Sequence, residues 1–524
     1  MPERHSDGSP HRLDRRQGLT LAALLLAGGL AAWSLSTWPV KLRYPGEWCG
    51  IEGMRLAEMQ HLRHGIPIYA PASAERFDAT IYGPLYYLAG ARLIDPAKPA
   101  YFPLRLLSAL AVLGCAGFAG WLAFRISGCA LAGGLAPLSF LSYAFVSLYG
   151  ISGRADSCAL LLSFGAVLVA HQFRESPKIL LAMPLFLLSF FYKQQYVAAP
   201  LATILFLALE RRYRLAAAFA GLMTAGAAVG LILFQFLIFR GQDFLLHFLR
   251  YNLAPFSWVQ FKGAMAVFGI LLLVPLLVGL ESLRVHREKF LACYLVCAVA
   301  SALLGAGKEG SDTNYFLECI FILSVLFAAL LARRIPEPAR AIELLVLLVV
   351  TLFTGQFFTP PPPSPRDFDL DRALQDYLRT NFPPGTRALS YYAGDMLRAG
   401  LDMPVSDIYQ RTLLTRQGAL DDRDIVTQLE KHYFAVVVVD FDLQTERERY
   451  WLDMYLTERM RRAIQAEYQL AAVMEMPGPE KLRKEARFYV WVPQAQARAV
   501  FLPRLQTPGP VSNRHDAASL ENTP

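Results

Sequence analysis

About eleven apolar runs of membrane-crossing length limit what this chain can fold into more than any other feature. They lie near 18–38, 102–124, 129–149, 156–173, 178–192, 196–209, 215–238, 263–280, 290–307, 315–332 and 341–358. A bilayer's hydrocarbon core takes a helix of about 20 residues, and lipid offers no partner to an unpaired backbone group, so such runs fold as helices. The expected class is a multi-span α-helical membrane protein. Composition agrees: 54% of residues are hydrophobic and 18% charged, where a soluble domain carries about 25% charged. The first run is longer than a signal-peptide core of about 7–15 residues and follows Arg4, Arg12, Arg15 and Arg16. It reads as an uncleaved first span behind a short cytoplasmic tail, 1–17.

Threading the runs from an inside N-terminus tests their orientation. The inside turns then hold Arg125; Arg174 and Lys178; Arg211, Arg212 and Arg214; Arg284, Arg287 and Lys289; Arg333, Arg334 and Arg340. Every inside turn is basic, as the positive-inside rule requires. The formal charge of +8 is thus largely an orientation signal, and no nucleic-acid partner is expected. An odd number of spans leaves the C-terminal region outside.

The outside turns carry five polar clusters: Gly46 to Gly53 with Glu47 and Glu52, Gly153-Arg154-Ala155-Asp156, Lys193-Gln194-Gln195, Arg250-Tyr251-Asn252, and Gly307 to Tyr315 with Lys308, Glu309 and Asn314. Ionisable groups at membrane depth are costly and mark function by default. Five clusters on one side point to one shared site. The first outside loop, 39–101, is long; within it 52–64 has a helical pattern, with Leu56, Met59 and Leu62 on one stripe, ended by Gly65. His61 and His64 on that helix read as surface residues. Residues 82–94 are aromatic and apolar but short, and suit the interface.

Seven cysteines are present, all but Cys49 within or at the ends of apolar runs, without the paired C-x-x-C spacing of a zinc site. None follows Cys319, in keeping with a bacterial envelope protein rather than a disulfide-stapled one. Pro360 to Pro363 open a stiff linker, 359–365. Beyond it, 366–496 alternates between patterns: helix at 373–382, strand at 387–392, helix at 424–432, strand at 435–440, helix at 451–468 and strand at 487–492. This reads as a small C-terminal α/β extracytoplasmic domain, followed by a polar tail, 497–524, without fixed structure.

Several stretches, taken in order, carry a likeness over about 18–358: Glu52-Gly53 with the helix to Gly65 and Pro67-Ile68-Tyr69; Tyr82-Gly83-Pro84-Leu85-Tyr86-Tyr87; Arg154-Ala155-Asp156-Ser157; Lys193-Gln194-Gln195 leading to Pro200; and Gly307 to Ser311 with Asn314-Tyr315-Phe316. In this the chain resembles the GT-C superfamily of integral-membrane glycosyltransferases. The nearer likeness is to bacterial family 39-like members related to protein mannosyltransferases and to the aminoarabinose transferase that modifies lipid A. The resemblance implies inverting transfer of a sugar from a polyprenyl-phosphate-linked donor to a lipid, glycan or protein hydroxyl on the outer face. It also implies a catalytic acid in the first loop, often in an Asp-Glu pair. Here the matching pair is Ile51-Glu52, so Glu52 is the first candidate base and Glu47 the second. Some relatives bind a metal through an acid just before the Pro-Leu-Tyr stretch, where this chain has Tyr82-Gly83. No metal is expected there, no cofactor is required, and a divalent metal is not indicated.

The chemistry fits these residue types. A base must take the acceptor's proton, and Glu52 stands at a helix N-terminus; the plain alternative is a helix-start acid favoured by the dipole. Asp156, beside Arg154, is a candidate to orient the acceptor, or is a helix-start acid with a charged neighbour. A phosphate leaving group calls for fixed cations. Lys193, Lys308 and Arg250 are candidates, with Arg240 behind them; each could instead be a snorkelling terminal residue. Arg154, Gln194, Gln195, Glu309, Asn314, Tyr315 and Tyr82 are candidates to contact the sugar, or to cap helices and anchor them at the interface. A transporter or lipid flippase could use similar charges, but such proteins carry internal repeats with polar breaks near the midplane; no repeat is visible, and the polar groups gather at one boundary. A membrane scaffold would not need charges in so many separate turns.

Overall fold

The computed structural model describes residues 15–47, 51–73, 75–444, 453–476 and 487–495. The expected tails, apart from residues 15–17, lie outside the described residues, as do Trp48, Cys49 and Gly50 of the first polar cluster.

Among the described residues, six helices are long and apolar enough to cross a membrane: Arg15–Arg43, Phe102–Ser127, Tyr213–Ile238, Lys289–Ala306, Thr313–Arg334 and Pro338–Gln356. The run near 263–280 is not one span but a pair, Trp258–Leu271 and Leu273–His286, bent by 60°. Four shorter apolar helices, Ala130–Ser142, Asp156–Gln172, Pro177–Tyr192 and Ala198–Leu209, complete the set. Each expected run is therefore helical, but the four short helices fall below the roughly 20 residues of a full straight crossing. By length and composition, six of the described helices, or seven counting the bent pair as one span, are long enough on their own. The run at 129–149 also breaks, at Tyr143, whose extended backbone separates Ala130–Ser142 from Ala144–Tyr149. The protein is a multi-pass membrane protein. Thr313–Arg334 runs through its middle, almost wholly buried, while Tyr213–Ile238 faces outward along most of its length.

The basic turns gather at one end. Arg212 Nη1 donates to the Arg174 carbonyl (2.6 Å), and Glu288 lies against His171 (3.2 Å) and Arg174 (3.7 Å). The polar turns gather at the other, beneath the first loop. There Glu52–Arg63 forms the expected helix; its end is closed by the Gly65 N–H on Leu62 O (3.1 Å) and the Ile66 N–H on His61 O (2.9 Å), with Gly65 at φ +73. Pro84–Leu93 forms a second short helix.

In the C-terminal part, Pro365–Asn381 begins at the linker itself, eight residues before the expected helix. Its start is fixed by the Ser364 N–H and Oγ, both donating to Asp367 Oδ2 (2.7 and 2.6 Å). Four strands, β1 (Ala388–Ser390), β2 (Val436–Val439), β3 (Tyr468–Glu475) and β4 (Arg487–Pro493), make one sheet in the order β1-β2-β4-β3. β1 and β2 are parallel; the other pairs are antiparallel. Both faces are covered: Val437 and Val439 enter one apolar cluster, Val436 and Val438 the other, as the two-residue period of a strand dictates. The helix expected over 451–468 is described as Glu458–Glu467, residues 451–452 lying outside the described residues, and it runs straight into β3, a strand the pattern did not reveal.

Candidate active site

At the polar end, Asp156 opens the helix Asp156–Gln172 and is fully buried. Its Oδ1 accepts from Lys193 Nζ (2.6 Å), Tyr196 OH (2.8 Å) and Asn314 Nδ2 (2.9 Å), and its Oδ2 from Arg154 Nε (3.2 Å). One carboxylate thereby joins the second, third and fifth polar turns. Two cations and two neutral donors satisfy it, as burial of a charge demands. Lys193 caps the end of Met183–Tyr192 and lies over the Tyr82 ring (4.8 Å from its centroid). Arg55 also lies near this ring, 5.2 Å from its centroid.

Glu52 is the second buried carboxylate. Arg105 grips both oxygens, Nε to Oε1 (3.0 Å) and Nη2 to Oε2 (2.7 Å), and the Gly153 N–H donates to Oε1 (2.5 Å). The same guanidinium donates to the carbonyls of Lys41 (3.2 Å), Tyr44 (2.6 Å) and Gly46 (2.8 Å). It fixes the chain entering the first loop as well as the acid. Tyr86 OH donates to Gly153 O (2.6 Å), so the loop preceding Asp156 is pinned from both sides. Glu47 accepts the Gly53 N–H (2.7 Å) and serves the start of the Glu52 helix. Backbone crowds that start: a Cβ on Gly53 would lie 2.5 Å from Gly394 N of the outer domain.

The remaining candidates lie around this core. Gln194 Nε2 donates to Ile81 O (2.7 Å) and Phe248 O (3.3 Å), tying the third turn to the first loop and the fourth turn. Gln195 is half-buried in the same turn and accepts from the Val197 N–H (3.0 Å). Lys308 Nζ donates to Asn252 Oδ1 (2.7 Å), joining fourth and fifth turns. Burial, and after it the Lys193 ammonium, pull Lys308 down to about 8. All five polar turns are thus connected. Arg154 and Lys193 meet the Asp156 carboxylate, and Lys308 lies near enough to Lys193 to feel its charge, so three cations gather at this end. Tyr315 is half-buried with its ring against Gly305.

Other expected residues stand apart. Arg250 and Arg240 are exposed, and Glu309 is paired with Arg416 of the outer domain. His61 is not a surface residue: it is buried with Nδ1 2.9 Å from Asp78 Oδ1, while His64 is exposed. Among the described residues no three His, Cys, Asp or Glu side chains gather as ligands of one metal ion.

Sequence reasoning missed several residues. Arg105 was legible as a charge four residues into an apolar run, a costly placement that signals a partner. Tyr196 gave no signal. Arg55 and Glu58 stand three apart on the first-loop helix. They are buried, with Arg55 Nη1 on both Glu58 oxygens (2.8 and 2.7 Å) and on Tyr87 OH (2.9 Å), and Nη2 on Asp407 Oδ2 (2.5 Å). The partner that buries them, Asp407, is 352 residues away.

No protein-family model and no curated protein sequence matches the chain. Solved structures do. The crystal structure of ArnT from Cupriavidus metallidurans bound to undecaprenyl phosphate matches over 89% of this chain and 98% of that one, at 14% identity and a TM-score of 0.51. The oligosaccharyltransferase of Archaeoglobus fulgidus is a more distant likeness: 11% identity, 86% of this chain, 71% of that chain, TM-score 0.48. The ArnT match takes in 89% of the chain, and the protein accordingly shares the overall fold of that structure.

Proposed function

We propose that the protein transfers a sugar, with inversion, from a polyprenyl-phosphate-linked donor to an acceptor hydroxyl at the outer face of a bacterial cell (inner) membrane. Its N-terminus is cytoplasmic and its α/β domain extracytoplasmic. The observation that carries this reading is the joining of five polar turns, in a GT-C fold, at the ends of apolar helices, with Arg154, Lys193 and Lys308 among them and the buried carboxylates of Glu52 and Asp156 at the joints. A lipid phosphate brought along the membrane would meet Lys193 and Lys308, with Arg250 at the rim, while Tyr82, Tyr315, Asn314, Gln194, Gln195 and Arg154 line the approach to the sugar. Surrounding membrane lipids complete the site.

Inverting transfer forms the bond from the acceptor oxygen to the anomeric carbon as the bond from that carbon to the phosphate oxygen breaks. The proton goes to a carboxylate and the electron pair leaves with the phosphate. Glu52 is the proposed base and Asp156 the group that orients acceptor and cations. Arg105 and the Gly153 N–H fix the Glu52 carboxylate in place. Glu47, whose carboxylate also faces the start of the first-loop helix, is second.

The test uses purified protein in liposomes with a panel of polyprenyl-phosphate sugars and acceptor extract, following release of polyprenyl phosphate. Glu52→Gln should lower release at least about 100-fold with expression unchanged, and Glu47→Gln should leave most of it. Loss only in Glu47→Gln would move the base to Glu47; full activity in both would remove the first-loop acids from the chemistry.

A further inference from the structure

No acidic residue falls between Asp243 and Glu281, and the segment around Phe256 turns large apolar side chains outward. Leu253 is 70% exposed, Trp258 66% and Val259 75%, with Phe256 exposed beside them. The rings form one group: the centroids of Phe256, Trp258 and Phe261 stand 5.1, 5.5 and 5.7 Å apart in pairs. Arg250 and Lys262, both exposed, mark the two ends of the segment. Its other side is held by protein. Phe256 bridges Lys308 as an antiparallel pair, the Ser257 N–H donates to Gly307 O (2.7 Å) and the Glu309 N–H to Pro255 O (2.9 Å). The Gln260 side chain donates to Ser311 O (2.9 Å) and accepts from the Gly310 N–H (3.2 Å). A Cβ on Gly307 would lie 2.0 Å from the Phe256 ring, so that ring rests on the bare backbone of the loop presenting Lys308. The outer domain reaches only the backbone here, through Gln410 Nε2 to Tyr251 O (2.5 Å) and Gln417 Nε2 to Leu253 O (3.4 Å).

A contiguous exposed apolar patch calls for a partner. This one begins just after the outward-facing span Tyr213–Ile238 and runs into the first helix of the bent pair, Trp258–Leu271, so it continues the lipid-facing surface of the protein. Trp, Phe and Leu flanked by Arg and Lys make an interfacial segment, with the apolar side chains in the head-group and acyl boundary. Cations without neighbouring acids favour an anionic surface. Any multi-span protein sets aromatics at head-group level; here they are fastened by backbone to the loop that carries Lys308. We propose that residues 250–262 form a surface anchor seated on anionic phospholipid of the outer leaflet, and that the anchor sets the depth at which Lys308 meets a lipid phosphate. The depth-setting role deepens the transferase reading and rests on it; the anchoring does not.

The probe is brominated phospholipid in liposomes of the full-length protein, with Trp258 read as the difference in emission between wild type and Trp258→Phe. Bromine near the carbonyl end of the acyl chain should quench Trp258 more than bromine near the methyl end. Brominated phosphatidylglycerol should quench it more than brominated phosphatidylcholine at equal mole fraction, and Lys262→Gln should lower that preference about fivefold. In the transfer assay, Phe256→Ser with Trp258→Ser should raise the donor KM about tenfold in liposomes with kcat held, while Trp258→Phe stays within about twofold. In detergent micelles, where no leaflet sets a depth, the double variant and wild type should share one donor KM. Trp258→Phe and Lys262→Gln answer even where the double variant does not fold. Quenching of Trp258 by aqueous iodide and not by lipid bromine, or by neither, would overturn the anchor: the first leaves the segment in water, the second puts a protein surface over it. Lipid quenching with an unchanged donor KM in the folded double variant would overturn the depth-setting role. Lipid quenching without cleavage of any polyprenyl-phosphate sugar would keep the anchor and overturn the transferase reading instead.

Discussion

Arg105 shows what a single buried charge does here. It donates to Glu52, Lys41 O, Tyr44 O and Gly46 O while fully enclosed, so the first loop and the proposed base share one anchor. Arg105→Gln leaves a buried carboxylate without its cation. The expected loss is about 3–5 kcal/mol, seen as a lowered unfolding temperature in detergent; a variant as stable as wild type would contradict the clamp. Lys308 makes a pH prediction. Its folded value, about 8, lies below that of free lysine because burial opposes the charge. The ammonium therefore persists below about pH 8 and is lost as pH rises through it. The donor's phosphodiester does not titrate in that range. Donor KM should rise by about tenfold between pH 7 and 9.5, Lys308→Arg should flatten the rise, and Lys308→Ala should start high and stay flat. A wild-type KM that does not change over this range would remove Lys308 from phosphate binding.

At the scale of elements, helices were readable and their joints were not. Apolar runs report burial, and burial in lipid dictates helix, so every expected run was found helical. Breaks at Tyr143 and between Leu271 and Leu273 are invisible to hydropathy because apolar residues continue through them. β3 was missed because Tyr468–Glu475 lacks strict alternation and follows a helix without a turn signal. In the site, Asp156, Lys193, Asn314 and Lys308 were legible because charges and amides stand out at the ends of apolar runs. Arg55, Glu58 and Asp407 were not, since only the tertiary fold buries them. Gly83 gives an element-scale prediction. A Cβ there would lie 2.0 Å from the Phe191 carbonyl oxygen, so Pro84–Leu93 packs on Met183–Tyr192 through bare backbone. Gly83→Ala should cost about 3 kcal/mol or more and shift Tyr82 from Lys193. Gly117→Ala, with nothing within 4 Å, is the control and should be neutral or mildly stabilising. Equal unfolding temperatures for the two variants would contradict the close approach.

For the whole molecule, the outer domain and the first loop form a roof over the membrane helices. Arg55 to Asp407 and the Gly53–Gly394 contact join the two parts of the roof, while Glu309 to Arg416, Arg105 to Glu52 and the Gly153 N–H to Glu52 tie it to the helices and their turns. Beneath it the Arg154 and Lys193 side chains are buried, and charge acts more strongly there than in bulk water. One measurement tests the central claim most directly: protein in liposomes, incubated with isotope-labelled polyprenyl-phosphate sugars and acceptor extract, with both products followed by mass spectrometry. The account predicts polyprenyl phosphate and a glycosylated acceptor in equal amounts, with both lost in Asp156→Asn. Movement of intact labelled lipid across the bilayer without cleavage of any donor would contradict it and make the protein a lipid transporter.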